Sequence, residues 1–170
     1  MISQVVGFEN KVKHIILNVL KDEIAYNTNI EELCNEIFLK SYSLDDNTPK
    51  ILIVYLKKDL IKYIRVYYKE YLYMMKQNFT ENIILTVRNE SIDSKKGLGV
   101  SKQREEILQD LCFPGVIKGR SQEVEDRNNV IQKVYLDYNQ RYWSDIEMKA
   151  IEKLANEVLQ DNYVIDLFSY

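Results

Sequence analysis

Ile51-Leu52-Ile53-Val54-Tyr55-Leu56 and Ile83-Ile84-Leu85-Thr86-Val87 are two short apolar runs, and the stretch between them changes its period. Each run is continuous, brief and rich in β-branched residues, which predicts a buried strand. From Asp59 to Asn78, Ile61, Ile64, Tyr68, Tyr71 and Met75 step by 3, 4, 3 and 4 along one helical stripe. Residues 50 to 88 therefore read as a β-α-β unit, a parallel pair joined by a right-handed crossover.

Working outward, Val12, Ile15, Ile16, Val19, Leu20 and Ile24 predict a helix over residues 8 to 25. Asn29 can cap a second helix, with Glu32 three residues on and Ile30, Leu33, Cys34, Ile37 and Phe38 on one face. Ser41 to Pro49 reads as a loop. Ser91 to Val100 reads as another, and Ser101 as the cap of a helix carrying Ile107, Leu108 and Leu111 that stops at Phe113-Pro114-Gly115. Val116 to Val124 and Val130 to Leu136 read as paired strands around Glu125 to Asn129. Ser144-Asp145-Ile146-Glu147 has capping-box spacing ahead of a helix with Ile151, Leu154, Ala155 and Val158 on one face, and Asn162 to Phe168 is a last strand. The order α-α-β-α-β-α-β-β-α-β predicts an α+β fold: a mixed sheet with a β-α-β unit and a hairpin, helices packed on it. At 170 residues this reads as a single domain, 1–170.

Composition sets the class. Hydrophobic residues at 46% and charged residues at 29% are ordinary for a globular protein. Cys34 and Cys112 form no C-x-x-C pair, so neither zinc nor a disulfide framework is expected, and a reducing cytosol is the default. No run of 18 apolar residues predicts a membrane span, and the first residues do not read as a secretory signal. His14 is the only histidine and reads as a boundary residue on a helix; Glu31-Glu32, Asp45-Asp46 and Glu105-Glu106 are sequence neighbours, so they do not face each other as an acid/base pair must. No catalysis, cofactor, metal or small-molecule substrate is expected.

The net charge of −3 argues against nucleic acid until it is divided along the chain. Residues 1 to 50 carry 5 Lys/Arg against 8 Asp/Glu, residues 51 to 104 carry 11 against 5, and residues 105 to 170 carry 7 against 13. The centre is thus basic by 6. Within it Lys58, Lys62, Arg65, Lys69 and Lys76 recur at steps of 4, 3, 4 and 7 on one helical flank. Such a row suits a phosphate backbone, and it equally suits the solvated face of an amphipathic helix. Lys95-Lys96-Gly97-Leu98-Gly99-Val100-Ser101-Lys102, with Arg104 beyond, is a second cluster; it lacks the Gly-Lys-Ser/Thr of a phosphate loop, and reads as an RNA-backbone contact or a solvated loop. Tyr67, Tyr68, Tyr71 and Tyr73 could stack on bases, although Tyr68 and Tyr71 fall on the apolar stripe and suit the core better.

Ile107-Leu108-Gln109-Asp110-Leu111-Cys112-Phe113-Pro114, then Ile117-Lys118-Gly119-Arg120, then Lys133-Val134-Tyr135-Leu136-Asp137, resemble the eukaryote-specific ribosomal protein S-7 family of the small subunit. Its members carry Ile-Leu-x-Asp-Leu-x-Phe-Pro, Ile-x-Gly-Lys-Arg or a near variant, and Lys-Val-x-Leu-Asp after a hairpin. The likeness runs from about Lys50 to the C-terminus. It departs at Tyr73-Met74-Met75-Lys76-Gln77-Asn78-Phe79, where the family has Arg-Glu-Leu-Glu-Lys-Lys-Phe, and in a basic loop cut to Ser91–Lys102. A compacted, acidic member would look like this. The resemblance implies a structural, non-catalytic protein of the small subunit that contacts small-subunit rRNA and neighbouring ribosomal proteins, joining assembly in the nucleolus and working on cytoplasmic ribosomes. The cations expected at rRNA are Lys58, Lys62, Arg65, Lys69, Lys95, Lys96, Lys102, Arg104, Lys118 and Arg120. The rival reading is an acidic protein-interaction scaffold outside the ribosome.

Overall fold

In the computed structural model, residues 1–27, 29–89, 98–126 and 129–168 are described, without the side chains of residues 98–101. The chain divides into two compact units, Met1–Asp46 with Lys50–Asp93, and Asn47–Pro49 with Ser94–Tyr170. The class is α+β as expected, with the strands distributed over two mixed sheets.

The first unit runs β1 (Ile2–Gln4), α1 (Glu9–Val19), α2 (Lys21–Ile24), α3 (Asn29–Leu33), β2 (Phe38–Tyr42), β3 (Ile51–Leu56), α4 (Lys58–Val66), α5 (Tyr68–Asn78) and β4 (Ile83–Arg88). Its sheet order is β1-β2-β3-β4. β3 and β4 pair in parallel with Ile51 opposite Ile83 and Leu56 opposite Arg88, which is the predicted β-α-β unit. Leu52, Val54 and Leu56 form one face of β3 and pack into a core with Val12, Ile16 and Leu20 of the α1 region and Leu60, Ile64, Tyr71 and Met75 of the crossover helices. Ile51 and Ile53 are fully buried as well, so the strand has no solvated face to signal its period.

Four local readings change. The first helix, expected over residues 8 to 25, is broken at Leu20, whose φ of −98° and ψ of 15° depart from helical values. The crossover helix is broken at Tyr67, whose φ of −103° and ψ of 27° depart from helical values. The Tyr67 hydroxyl donates to Glu23 Oε1 at 2.8 Å, which ties the break to α2. The second helix ends at Leu33, and Phe38 to Tyr42, expected partly as helix and partly as loop, is a strand antiparallel to β3. β2 supplies ladder partners to the edge of β3 that would otherwise lack them, and this tertiary demand outweighs local propensity. Asn29 does not cap from outside: it lies inside α3, and its N–H donates to Asn27 Oδ1 at 3.1 Å.

The second unit runs α6 (Leu98–Cys112), β5 (Ile117–Asp126), β6 (Asn129–Asp137), α7 (Asp145–Leu159) and β7 (Tyr163–Phe168). α6 starts before Ser101, so Gly99 and Val100 belong to its backbone and not to a loop. β5 and β6 are the predicted hairpin, and β7 adds in parallel to β6, giving a second β-α-β unit through α7. The capping box at Ser144 is present: Ser144 Oγ accepts from the Glu147 N–H at 3.3 Å and Glu147 Oε2 accepts from the Ser144 N–H at 2.9 Å. α7 ends on Gln160 at φ 50°, a left-handed C-terminal residue. Glu152, buried on α7, accepts from the Ile165 N–H of β7 at 2.9 Å and binds Lys149 at 2.8 Å, so its charge is compensated on both oxygens.

Candidate nucleic-acid interface

The Leu-x-Phe-Pro segment is a packing node of the second unit. Ile107, Leu108, Leu111 and Cys112 of α6 are buried. The Cys112 carbonyl at the helix end accepts from the Gly115 N–H at 2.8 Å and from Trp143 Nε1 at 2.9 Å, so the indole adds a second bond to the turn that closes the helix. Gly115 sits where a Cβ would lie 2.9 Å from the Cys112 carbonyl oxygen, 3.2 Å from Leu136 and 3.4 Å from Trp143. Backbone oxygen cannot yield as a side-chain tip can, so glycine is required by this close approach. The motif therefore holds helix, hairpin and the approach to α7 together.

The cations around this node are occupied. Arg120 is paired with Glu105 of α6. Lys118 Nζ lies 3.4 Å from Asp137, and Arg104 Nη1 lies 3.4 Å from Asp161. Lys133 is paired with Glu123, and that carboxylate raises the lysine pKa. Lys102 is exposed at the start of the described part of α6. Lys95 and Lys96 lie outside the described residues.

The helical row behaves differently. Lys58, Lys62 and Arg65 fall on α4, while Lys69 and Lys76 fall on α5, because the break at Tyr67 divides the row. Lys62 and Asp59 form an exposed pair at 3.2 Å. They line a cleft of about 520 Å³ with Asn27, Asn29, Leu33, Tyr63 and Val66. Lys58 and Arg65 have partners of their own. Lys69 and Lys76 are exposed. Among the described residues neither has an ion-pair partner. Lys57, outside the row read from sequence, is joined to Glu36 at 3.0 Å. Lys11 and Lys13 of α1, also outside that row, lie 5.8 Å from the Phe79 ring centre and 2.7 Å from Asn35 Oδ1. Nothing in their local spacing singles them out.

The tyrosines sort as the apolar stripe indicates. Tyr71 is fully buried and its hydroxyl meets Thr86 Oγ1 at 3.2 Å, with burial pushing its pKa up to about 12. Tyr68 is half-buried, its ring 6.4 Å from that of Tyr71. Tyr67 is tied to Glu23, and Tyr73 is 65% exposed. Cys34 and Cys112 are buried thiols whose pKa values burial raises to about 11 and about 12. His14 is exposed on α1. Among the described residues no group of three or more His, Cys, Asp or Glu could hold a metal ion, and no helix is long and apolar enough to cross a membrane.

Each unit is close to electrical balance. The first holds 12 Lys/Arg against 13 Asp/Glu and the second 11 against 13. The basic centre of the sequence is split between them.

No protein-family model matches the chain. Among curated proteins, the chain is similar to the small ribosomal subunit protein eS7 of Encephalitozoon cuniculi (strain GB-M1), at 24% identity over 126 residues that cover 72% of this chain and 74% of that protein. That alignment length cannot fit within either compact unit, so the likeness includes residues of both. That likeness points to the same family that the Ile107–Pro114 segment resembles, the eukaryotic small-subunit ribosomal protein S-7 family.

Proposed function

We propose that this chain is a structural constituent of the small ribosomal subunit that binds small-subunit rRNA and contributes to subunit assembly. The ribosomal role is carried by the likeness to eS7 over most of both chains. It is a role in structure and not in catalysis. The rRNA contact is electrostatic and shape-based, with Lys and Arg on phosphates and little reading of base edges. Lys69 and Lys102, exposed and outside the ion pairs described above, support it best among the expected cations. Lys58, Lys62, Arg65, Arg104, Lys118 and Arg120 reach phosphate only by exchanging or sharing their present partners, and Lys95 and Lys96 complete the basic loop. Acidic surfaces such as the Glu123-Val124-Glu125-Asp126 end of β5 suit basic neighbouring ribosomal proteins. The working location is the cytoplasmic ribosome, reached through the nucleolus.

Sedimentation of a cell extract tests this reading. The native protein is expected to travel with small subunits at near-stoichiometric level. It should dissociate as salt rises with a log-log slope of about −3 to −4 if about four cations neutralise phosphates. Joint replacement of Lys95, Lys96, Lys102 and Arg104 by Gln should weaken retention; undiminished retention removes that loop from the RNA contact. The rival reading, an acidic scaffold outside the ribosome, is favoured by the pairing of Arg104, Lys118 and Arg120 with carboxylates. It predicts sedimentation free of subunits.

A further inference from the structure

We infer that Tyr73 is a base-stacking residue, clasping an unpaired RNA base between the phosphate contacts of Lys69 and Lys76. This rests on the ribosomal reading above and adds to its electrostatic contact a second, non-electrostatic one.

The geometry is that of a single helical stripe. Lys69, Tyr73 and Lys76 stand at i, i+4 and i+7 on α5, so they share one side of the helix. Tyr71 and Met75 occupy the opposite side and are fully buried, which fixes the rotation of the helix and holds the stripe outward. Tyr73 is 65% exposed, and among the described residues its ring and hydroxyl have no partner. The two lysines are about 10 Å apart along the axis, one turn to either side of the ring. Glu70 is the only acid of α5.

The surroundings select the occupant. The exposed neighbours of Tyr73 on the helix are Lys69, Glu70, Lys76 and Gln77, so the ring is not part of an apolar patch of the kind that forms the core of a protein interface. A ring face flanked by cations suits a nucleotide, which offers a π face and phosphates together. α1 extends the surface: it presents Lys11, His14 and Asn18 to solvent, and it meets α5 through Asn18 Nδ2, 3.9 Å from Met74 Sδ. The only acid of α1, Glu9, is already held by the Gly7 N–H at 2.8 Å.

The test uses the full chain and a single-stranded RNA oligonucleotide carrying 2-aminopurine in place of adenine. Binding should quench the 2-aminopurine emission. Tyr73→Leu should abolish the quench and weaken binding about tenfold, while Tyr73→Phe keeps both. Lys69→Gln with Lys76→Gln should lower the salt slope by about 2 and leave the quench at saturation. A native protein that binds without quenching, or a Tyr73→Leu variant indistinguishable from native, overturns the inference. Either result leaves the ribosomal reading standing if the native protein still sediments with small subunits. Failure to sediment with them removes that reading instead. Because Tyr73 is exposed, both variants should keep the native circular dichroism.

Discussion

The two β-α-β units share a topology and differ in what surrounds their strands. β3 and β4 are buried at nearly every position, so they stand in the sequence as unbroken apolar runs. β6 and β7 are buried only in part, and their sequences mix Gln, Lys, Tyr and Asp with the apolar residues. A parallel crossover is visible in a sequence when both strand faces are covered, and is hidden when one face meets solvent. The cations divide in a parallel way. On α5 of the first unit, Lys69 and Lys76 stand clear of carboxylates, whereas Arg104, Lys118 and Arg120 of the second are held by Asp161, Asp137 and Glu105. Beside the open sheet Lys118 and Arg120 pair with carboxylates of their own unit; on the helices that cover the closed sheet pairing is mixed, with Lys62 joined to Asp59 and Lys69 and Lys76 left outward.

The sharpest way to break this contrast is in the two cores. Leu52→Ala empties a site that is fully buried on β3 and should lower stability by about 4 kcal/mol in urea denaturation. Leu136→Ala, on β6 at 4% exposure, should cost about 2 kcal/mol because the more open sheet can relax around it. Equal losses would mean that the two sheets are equally enclosed. Gly115→Ala should cost about 2 kcal/mol through the clash with the Cys112 carbonyl, and a neutral result would show that the Phe-Pro-Gly node can shift.

Smaller effects come from the buried thiols, one in each unit. Burial raises Cys34 from 9.0 to about 11 and Cys112 from 9.0 to about 12. A raised folded-state pKa means that their contribution to stability is complete below pH 9 and is lost as pH climbs through about 11 and about 12. Unfolding followed against pH should therefore show stability falling above pH 9, and native protein should resist thiol alkylation at pH 8, Cys112 more than Cys34. Fast alkylation of Cys112 without unfolding would contradict its enclosure.

The smallest effect distinguishes free from paired cations. Replacing Lys69 and Lys76 by Gln should reduce the salt slope of RNA binding by about 1 each. Replacing Arg104 and Arg120 should change it less, since Asp161 and Glu105 already neutralise them. Equal slopes would show that these arginines leave their carboxylates for phosphate.

Much of the fold was legible because it rests on local periodicity. The runs at Ile51 and Ile83, the hairpin, the capping box at Ser144 and the last strand at Tyr163 all stand where their patterns predict. β2 was not legible, because Phe38-Leu39-Lys40-Ser41-Tyr42 becomes a strand only through its ladder with β3. The helix break was hidden too: Tyr67 is neither proline nor glycine, and its anchor Glu23 lies 44 residues away. Of the site, residue types and row spacing were legible, but not which cations are free. The pairs that decide this join residues far apart, as Arg104 and Asp161 are, 57 positions from each other.

Sequence by itself determined the α+β class, the first crossover, the hairpin and the motif that points to the S-7 ribosomal family, since each depends on neighbours within a turn or a strand. It also determined a basic centre between acidic flanks. Only the tertiary structure decided what that segregation means, by dividing the centre between two nearly balanced units. Charge acts through distance in space, and folding brings carboxylates from the acidic flanks against Lys57 and Arg104 of that centre while leaving Lys69, Tyr73 and Lys76 facing outward.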